Sequence, residues 1–256
     1  MRDERGAVDV FERAAARYLE NYDRRDPEGA AFVVRRRRVI AMLERVSAGP
    51  VLDAGCGPAI MADAVRQRGL HYIGVDAAPA MIARACERYH DVDGVELGVA
   101  DIASLPFERG YFGAVLCMGV LEYLDHAEAA VDEMARVARP GALLVMTLPN
   151  AASPYRKWTH RVYAPTTAGL KRALGRPAPP AMRRREFRVG PWCRSLEARG
   201  LAIETVVGYG YNPLLPPLDK LLPAAAARVA SVLERCGTGP ARGAGTGFIV
   251  GARVRG

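Results

Sequence analysis

The 256-residue sequence has no apolar run near the roughly 20 residues that a membrane span requires. Its cleanest apolar stretch, Gly141 to Leu148, is of strand length. The opening Met1-Arg-Asp-Glu-Arg leads into no hydrophobic segment, so no secretory signal is expected. Cysteine is scarce and unpatterned: Cys56, Cys86, Cys117, Cys193 and Cys236 form no C-x-x-C pair. An odd, scattered set fits reduced thiols in a cytoplasmic protein better than a disulfide frame or zinc site, and no metal is expected. Lysine is almost missing, with only Lys157, Lys171 and Lys220 among 36 basic residues. Arginine richness of this kind follows from a GC-rich genome and says little about partners. Acidic residues, however, nearly vanish between Ala151 and Gly200, where 12 basic residues face 2 acidic ones. Residues 1–150 carry the opposite balance, 18 basic against 23 acidic. The basic segment suits nucleic acid, an anionic membrane or an acidic substrate, and equally a solvated surface.

What is present is an ordinary globular composition, 50% hydrophobic and 25% charged, long enough for one large core. The first 48 residues read as helices, with Val10, Ala14, Tyr18 and Tyr22 near helical spacing and a break at Asp26-Pro27. A second helix is expected over Phe32–Val46. Short β-rich runs then alternate with helical patterns. Strands are expected at Val51–Ala54, Tyr72–Val75, Val95–Val99, Phe112–Met118 and Ala142–Leu148. Helices are expected at Ala59–Arg68, Pro79–Tyr89 and Ala127–Ala138. Such alternation implies βαβ units and a parallel sheet covered on both faces. The rhythm breaks over 151–188, returns with a helix at Pro191–Arg199 and a strand at Leu201–Val207, and breaks again over 209–243. Within that second break an apolar helix is expected near Leu221–Leu233, and a final strand at Thr246–Val254. The whole reads as one domain, 1–256, with a helical lid (1–48), a core (49–150) and two insertions.

Val51-Leu-Asp-Ala-Gly-Cys-Gly-Pro58 reads as a strand entering a glycine turn and then a helix. Glycine lets the backbone turn tightly and approach a ligand closely, and the helix start offers free N–H groups. A second strand ends in Asp76, about 20 residues on, the spacing at which an acid reaches a bound ribose. A carboxylate with two acceptor oxygens can take both ribose hydroxyls. The dinucleotide fingerprint fails, because Ile60 stands where its third glycine belongs. Asp53 would repel a pyrophosphate and suits a cofactor that carries positive charge.

The runs VLDAGCG, GVDAAPAMI, ADIASLPF, FGAVLCMGVLEYL and RVARPGALLVMTLPN, in this order over residues 50–150, resemble the class I S-adenosylmethionine (SAM)-dependent methyltransferases. The resemblance implies an α/β, Rossmann-like fold: a seven-stranded, mostly parallel sheet with an antiparallel last strand, helices on both faces, and insertions after strands 5 and 6. It implies SAM as cofactor, with Gly55 and Gly57 along the methionine moiety, beside Asp53 and Cys56. Asp76 would hold the ribose, Ala77 and Met81 would flank ribose and adenine, and Asp101 and Ile102 would meet the adenine. Met118 would lie near the methyl donor. Tyr18, Tyr22, Arg35 and Arg36 are candidates for the SAM carboxylate. Asp53 could cap the following helix, but its place in the block favours the cofactor role; Asp101 taken alone reads equally as a helix N-cap, and Met81 and Met118 read at least as well as core packing.

Acceptor chemistry is less legible. Ligands bind at the carboxyl ends of strands in such sheets, so aromatics after the fifth strand are expected to wall the acceptor pocket. Tyr22, Tyr123, Asn150, Tyr155, Trp158 and Tyr163 are the expected lining, and His160 is favoured over His126 as general base. Gly119 and Tyr123 stand where some quinone O-methyltransferases carry a metal-binding acid and histidine, so metal assistance is not expected. No Asn/Asp-Pro-Pro-aromatic block follows the fourth strand, which disfavours nucleic-acid methylation. The expected activity is methyl transfer to a small-molecule acceptor, on oxygen, nitrogen or carbon, with a specialised metabolite or lipid-like compound in view. Alternatives are a nucleic-acid or membrane-associated lipid or quinone methyltransferase using the 151–200 segment, and a SAM-binding protein without methyl transfer.

Overall fold

The computed structural model describes residues 2–24, 26–46, 48–173, 175, 184–236 and 243–255. Seven strands build one sheet: β1 (Val51–Ala54), β2 (Tyr72–Asp76), β3 (Val95–Val99), β4 (Phe112–Met118), β5 (Ala138–Pro149), β6 (Leu201–Tyr209) and β7 (Gly247–Val254). Their spatial order is β3-β2-β1-β4-β5-β7-β6. β1 to β5 pair in parallel, while β7 runs antiparallel to both β5 and β6. The order reverses beside β1, so β1 and β4 diverge at their carboxyl ends and leave a crevice there. This is the expected class I methyltransferase architecture.

Alternation along the strands explains the two-sided burial. Leu52, Ile73, Val115, Leu144 and Val250 point to one face, where α6 (Ala127–Val137) and α9 (Val189–Glu197) add Val131, Met134, Trp192 and Leu196. Val51, Tyr72, Leu116, Val145 and Ile249 point to the other. There α3 (Pro27–Met42), α4 (Ala62–Arg66) and α5 (Pro79–Tyr89) add Val39, Val65, Ile82 and Ala85. Each fully buried aliphatic side chain contributes about 1.5–3 kcal/mol, so the stability of the sheet resides in these two layers.

The elements differ from the sequence expectation at their edges. Asp26 does not merely break the N-terminal helices; its carboxylate caps α3 by accepting from Gly29 N at 2.8 Å. Ahead of it lie α1 (Arg2–Ala14) and the short α2 (Glu20–Asp23). The helix expected over Ala59–Arg68 shrinks to α4, because Ala59 takes a left-handed φ of 56° and residues 57–61 run as turns. β5 starts four residues early, at Ala138, with a bulge opposite Phe112–Ala114. The first insertion forms α7 (Pro154–Trp158), a π-helical turn (Thr159–Tyr163) and α8 (Ala164–Ala173), and returns to its own root where Asn150 bridges Phe187. Residues 176–183 of that insertion lie outside the described ones. The second insertion supplies α10 (Leu218–Leu221) and α11 (Pro223–Leu233). Among the described residues no helix is long and apolar enough to cross a membrane.

Candidate cofactor and active site

The chain leaves β1 through a turn in which Gly55 N and Cys56 N both donate to Val75 O, at 2.8 and 2.9 Å. Gly55 has φ 79°, and a Cβ there would stand 2.2 Å from a methyl of Val120. Gly57 has φ 52° but faces open space, its missing Cβ 3.9 Å from Met81 Sδ and from the Tyr18 ring. The first glycine is therefore required by packing. The second leaves a cradle in which a ligand can lie against the backbone.

Asp76 ends β2 and locks this turn to the next helix. Its Oδ2 accepts from Gly57 N at 2.8 Å and its Oδ1 from Ala78 N at 2.9 Å. Each oxygen keeps a second lone pair for a ligand hydroxyl. Burial pushes the Asp76 carboxyl up, and the hydrogen bonds from Ala78 and Gly57 oppose that shift.

A cavity of about 720 Å³ opens at the carboxyl ends of β1 to β4. Such a volume lies in the range of cofactor sites. Eight of the ten expected cofactor residues line it: Gly55, Gly57, Asp76, Ala77, Met81, Asp101, Ile102 and Met118. Asp101 Oδ1 also accepts from Ala103 N at 2.8 Å, so it caps its own turn while facing the cavity. The roof is α1, whose Ala7, Val8 and Phe11 face inward, with the Phe11 ring edge-on to Tyr123 at 5.1 Å. The lining is mainly apolar, with Asp76 and Asp101 toward the end formed by β2 and β3 and Met118 and Gly119 at the end of β4.

Asp53 and Cys56 lie behind this lining. Asp53 is buried, accepts from Tyr72 Oη at 2.8 Å, and its Oδ1 has no partner. Desolvation pushes its carboxyl up to about 7, despite the opposing Tyr72 hydrogen bond. Burial also pushes the Cys56 thiol up, so Cys56 fills space beside Gly74 rather than presenting a thiolate.

Beyond the β4 end stands a buried polar chamber. Arg35 on α3 is buried, its Nε has no partner, and the hydroxyls of Tyr18, Tyr22 and Tyr209 surround its guanidinium. Arg35 Nη1 lies 2.9 Å from where a Gly119 Cβ would stand, with Glu122 Oε1 at 3.7 Å from the same point. The lack of a side chain at Gly119 thus brings a cation to the cavity wall. Burial pushes the Glu122 carboxyl up, and its Oε2 has no partner. Tyr18 is pushed up to about 12 by burial and stays a neutral hydroxyl. Arg36 turns away, donating to Ile60 O at 3.0 Å.

The expected acceptor wall is mostly placed elsewhere. Only Tyr123 lines the cavity. Tyr22 stacks edge-on against Phe32 at 5.5 Å, beside Arg35. Asn150 is buried, its Nδ2 donating to Gly243 O and Gly245 O at 2.7 and 2.9 Å, so it ties the two insertions' roots together. Tyr155 Oη donates to Asp219 at 2.5 Å, Trp158 Nε1 to Pro216 O at 2.9 Å, and Tyr163 meets Lys220 at 4.8 Å. These aromatics join α7 to α10 rather than facing the cavity. His160 is 58% exposed in its side chain and 3.3 Å from Glu186, outside the cavity, whereas His126 lines it. Val8 and Phe11 also line it without any sequence signal, since each is an ordinary apolar residue until the helices pack.

Residues 52–146 match a family model described as a methyltransferase domain. The ubiquinone biosynthesis O-methyltransferase of Xanthomonas oryzae pv. oryzae is 30% identical over 147 residues, 56% of this chain and 60% of that protein. The chain spans between about a third and three fifths of the lengths of the curated relatives it matches. A SAM-dependent methyltransferase structure from Thermotoga maritima aligns with TM-score 0.62 and 16% identity, over 96% of this chain and 99% of that one. The cyclase SpnF aligns with TM-score 0.56 and 20% identity, over 85% of this chain and 81% of that one. At these identities the structures establish the fold alone.

Proposed function

We propose that this chain, whose residues 52–146 match a methyltransferase-domain family model, is a class I SAM-dependent methyltransferase that transfers a methyl group to a small-molecule acceptor. The observation that supports this best is one cavity that brings the glycine cradle together with the carboxylates of Asp76 and Asp101. Bound SAM supplies an electrophilic methyl on a positively charged sulfur. Gly55 and Gly57 give the methionine part close backbone approach, and Asp76 accepts from the ribose hydroxyls with its remaining lone pairs. Asp101 and Ile102 take the adenine. Arg35, with Tyr18, offers the carboxylate a buried counter-charge, which removes the penalty of an unpaired buried cation.

The acceptor approaches past Met118 and Gly119, where the β4 end, Tyr123 and the lid residue Phe11 exclude water. Alignment and desolvation supply much of the rate in an in-line displacement, and a base is needed only for an acceptor that carries a proton at neutral pH. His126 lines the cavity and His160 does not, so His126 replaces His160 as the histidine proposed for proton removal. The relative named as a ubiquinone biosynthesis O-methyltransferase favours an oxygen acceptor. A SAM-binding protein of other chemistry is the second reading, kept open by the likeness to a cyclase.

The test is calorimetric titration of SAM and S-adenosylhomocysteine, followed by acceptor screening for a 14-dalton gain. Binding of both with no methylated product from phenolic, lipid or amine panels would favour the second reading. Failure to bind either would remove the first.

A further inference from the structure

We propose that the outer face of the two insertions, α7–α8 with α10–α11, is a docking surface for an anionic lipid bilayer. Three observations carry this. The first is apolar exposure where water should be. Thirteen large apolar residues are exposed among the described ones, and eight of them lie between Trp158 and Leu170 or between Leu218 and Val232. Leu221 is 69% exposed, Leu170 64% and Val232 59%. Helix α11 buries Ala226 and Ala230 while turning Val229 and Val232 outward, the reverse of what a helix packed on a core in water does. Large apolar side chains left exposed in number on neighbouring segments mark an interaction site.

The second observation is that the two insertions form one surface. Trp158 Nε1 bonds Pro216 O, Tyr155 bonds Asp219, and Lys220 lies over the Tyr163 ring. The aromatic and proline-rich residues of both insertions are spent on this joint, which leaves their leucines and valines outside.

Charge is the third. Lys157, Arg161, Lys171, Arg172 and Arg228 are exposed and make no ion pair among the described residues. Of the three acids in the described parts of the insertions, Asp219 is buried against Tyr155, Glu234 is buried against Arg38, and the half-buried Glu186 is held by Arg156 at 2.8 Å. Residues 1–150 are net negative. An anionic surface therefore attracts this segment and disfavours the acidic first 150 residues, which orients the molecule. Long basic side chains can reach headgroups while the aliphatic residues enter the interface. A nucleic acid would want aromatic platforms for its bases, and this face offers leucine and valine instead.

The surface stands at the carboxyl-end edge of the sheet, on the side where the cavity opens. Resting on the methyl-transfer reading, the acceptor class that follows is an amphiphile drawn from the bilayer. Bilayer docking itself does not depend on that reading.

The full chain should be sedimented with phosphatidylcholine vesicles and with vesicles containing phosphatidylglycerol, in low and high salt. Binding to the anionic vesicles is expected, weakened by salt. Lys171→Glu with Arg172→Glu should weaken it about 25-fold or more, at roughly fivefold for each basic residue lost. Leu221→Ser with Leu222→Ser should weaken it at both salt concentrations. SAM titration of the same variants should be unchanged, so that a failure of the cofactor reading is separable from a failure of this one. No sedimentation with anionic vesicles would overturn the proposal. So would tighter, salt-sensitive binding to single-stranded RNA, or a dimer in sedimentation velocity that the leucine variants dissolve.

Discussion

Replacing Asp76 by alanine removes one carboxylate that holds two backbone donors and, on the proposed function, the ribose of SAM. In the free protein its oxygens hold Gly57 N and Ala78 N, at 2.8 and 2.9 Å. Both donors border the cavity, so water can take over part of what is lost. A stability loss of about 2 kcal/mol follows, a fall of about 4–8 °C in melting temperature for a chain of this size. Ligand binding suffers more. Two hydrogen bonds from ribose hydroxyls to a charged acceptor are each worth about 1.5–3 kcal/mol, so SAM affinity should fall by roughly 10² to 10⁴. Asp76→Asn is the sharper probe of charge, because an amide can accept from only one of the two backbone donors and presents its NH₂ to the other. It should fold nearly as well as the alanine variant and bind SAM comparably poorly. Titration calorimetry at 15–25 °C, below any shifted melting point, reads the affinity directly (~15–25 °C is chosen only to stay well within the folded range). The reasoning fails if either variant binds SAM within about threefold of the wild type.

Three further outcomes are expected. Gly55→Ala should be far more damaging than Gly57→Ala in chemical denaturation, because a Cβ at Gly55 meets Val120 at 2.2 Å while one at Gly57 meets nothing closer than 3.9 Å. The second should lose only the roughly 1–2 kcal/mol of a left-handed non-glycine residue, and equal losses would contradict the geometry. Asp53 should make stability pH-dependent: its carboxyl titrates near 7 when folded and near 4 when unfolded, so the folded state holds the extra proton between these values. Its contribution to stability is thus full below about pH 4 and falls by on the order of 4 kcal/mol as pH rises to about 7. Asp53→Asn should flatten that slope in denaturation midpoints, and an unchanged slope would refute the assignment. Asn150→Ala should cost about 2–4 kcal/mol, from lost bonds to Gly243 and Gly245, with SAM affinity intact; a weakened affinity would return Asn150 to the site.

The order of strands and helices between Val51 and Leu148 was legible in the sequence because hydrophobic period and turn chemistry are local. Gly55, Gly57 and Asp76 could be read together for the same reason, since one βαβ unit sets their spacing. Even the break at Asp26-Pro27 was visible, although its use as a cap for α3 appears only with the Gly29 bond. Two things were decided by tertiary structure alone. The aromatics after β5 follow the strand that ends at the site, but Tyr155 and Trp158 find hydrogen-bond partners about 60 residues onward, in α10 and the loop before it, and so turn from the cavity. A buried hydroxyl or indole N–H goes where an acceptor is, and no short-range pattern announces a partner so distant. The roof of the site comes likewise from α1, whose Val8 and Phe11 reach the cavity, Phe11 against Tyr123, only when the helices pack. Arg35 reaches the same wall because Gly119 offers no side chain in its path. Sequence determined which residues of the βαβ core line the cavity; packing determined which distant residues close over it, because burial and hydrogen-bond satisfaction are settled between elements rather than within them.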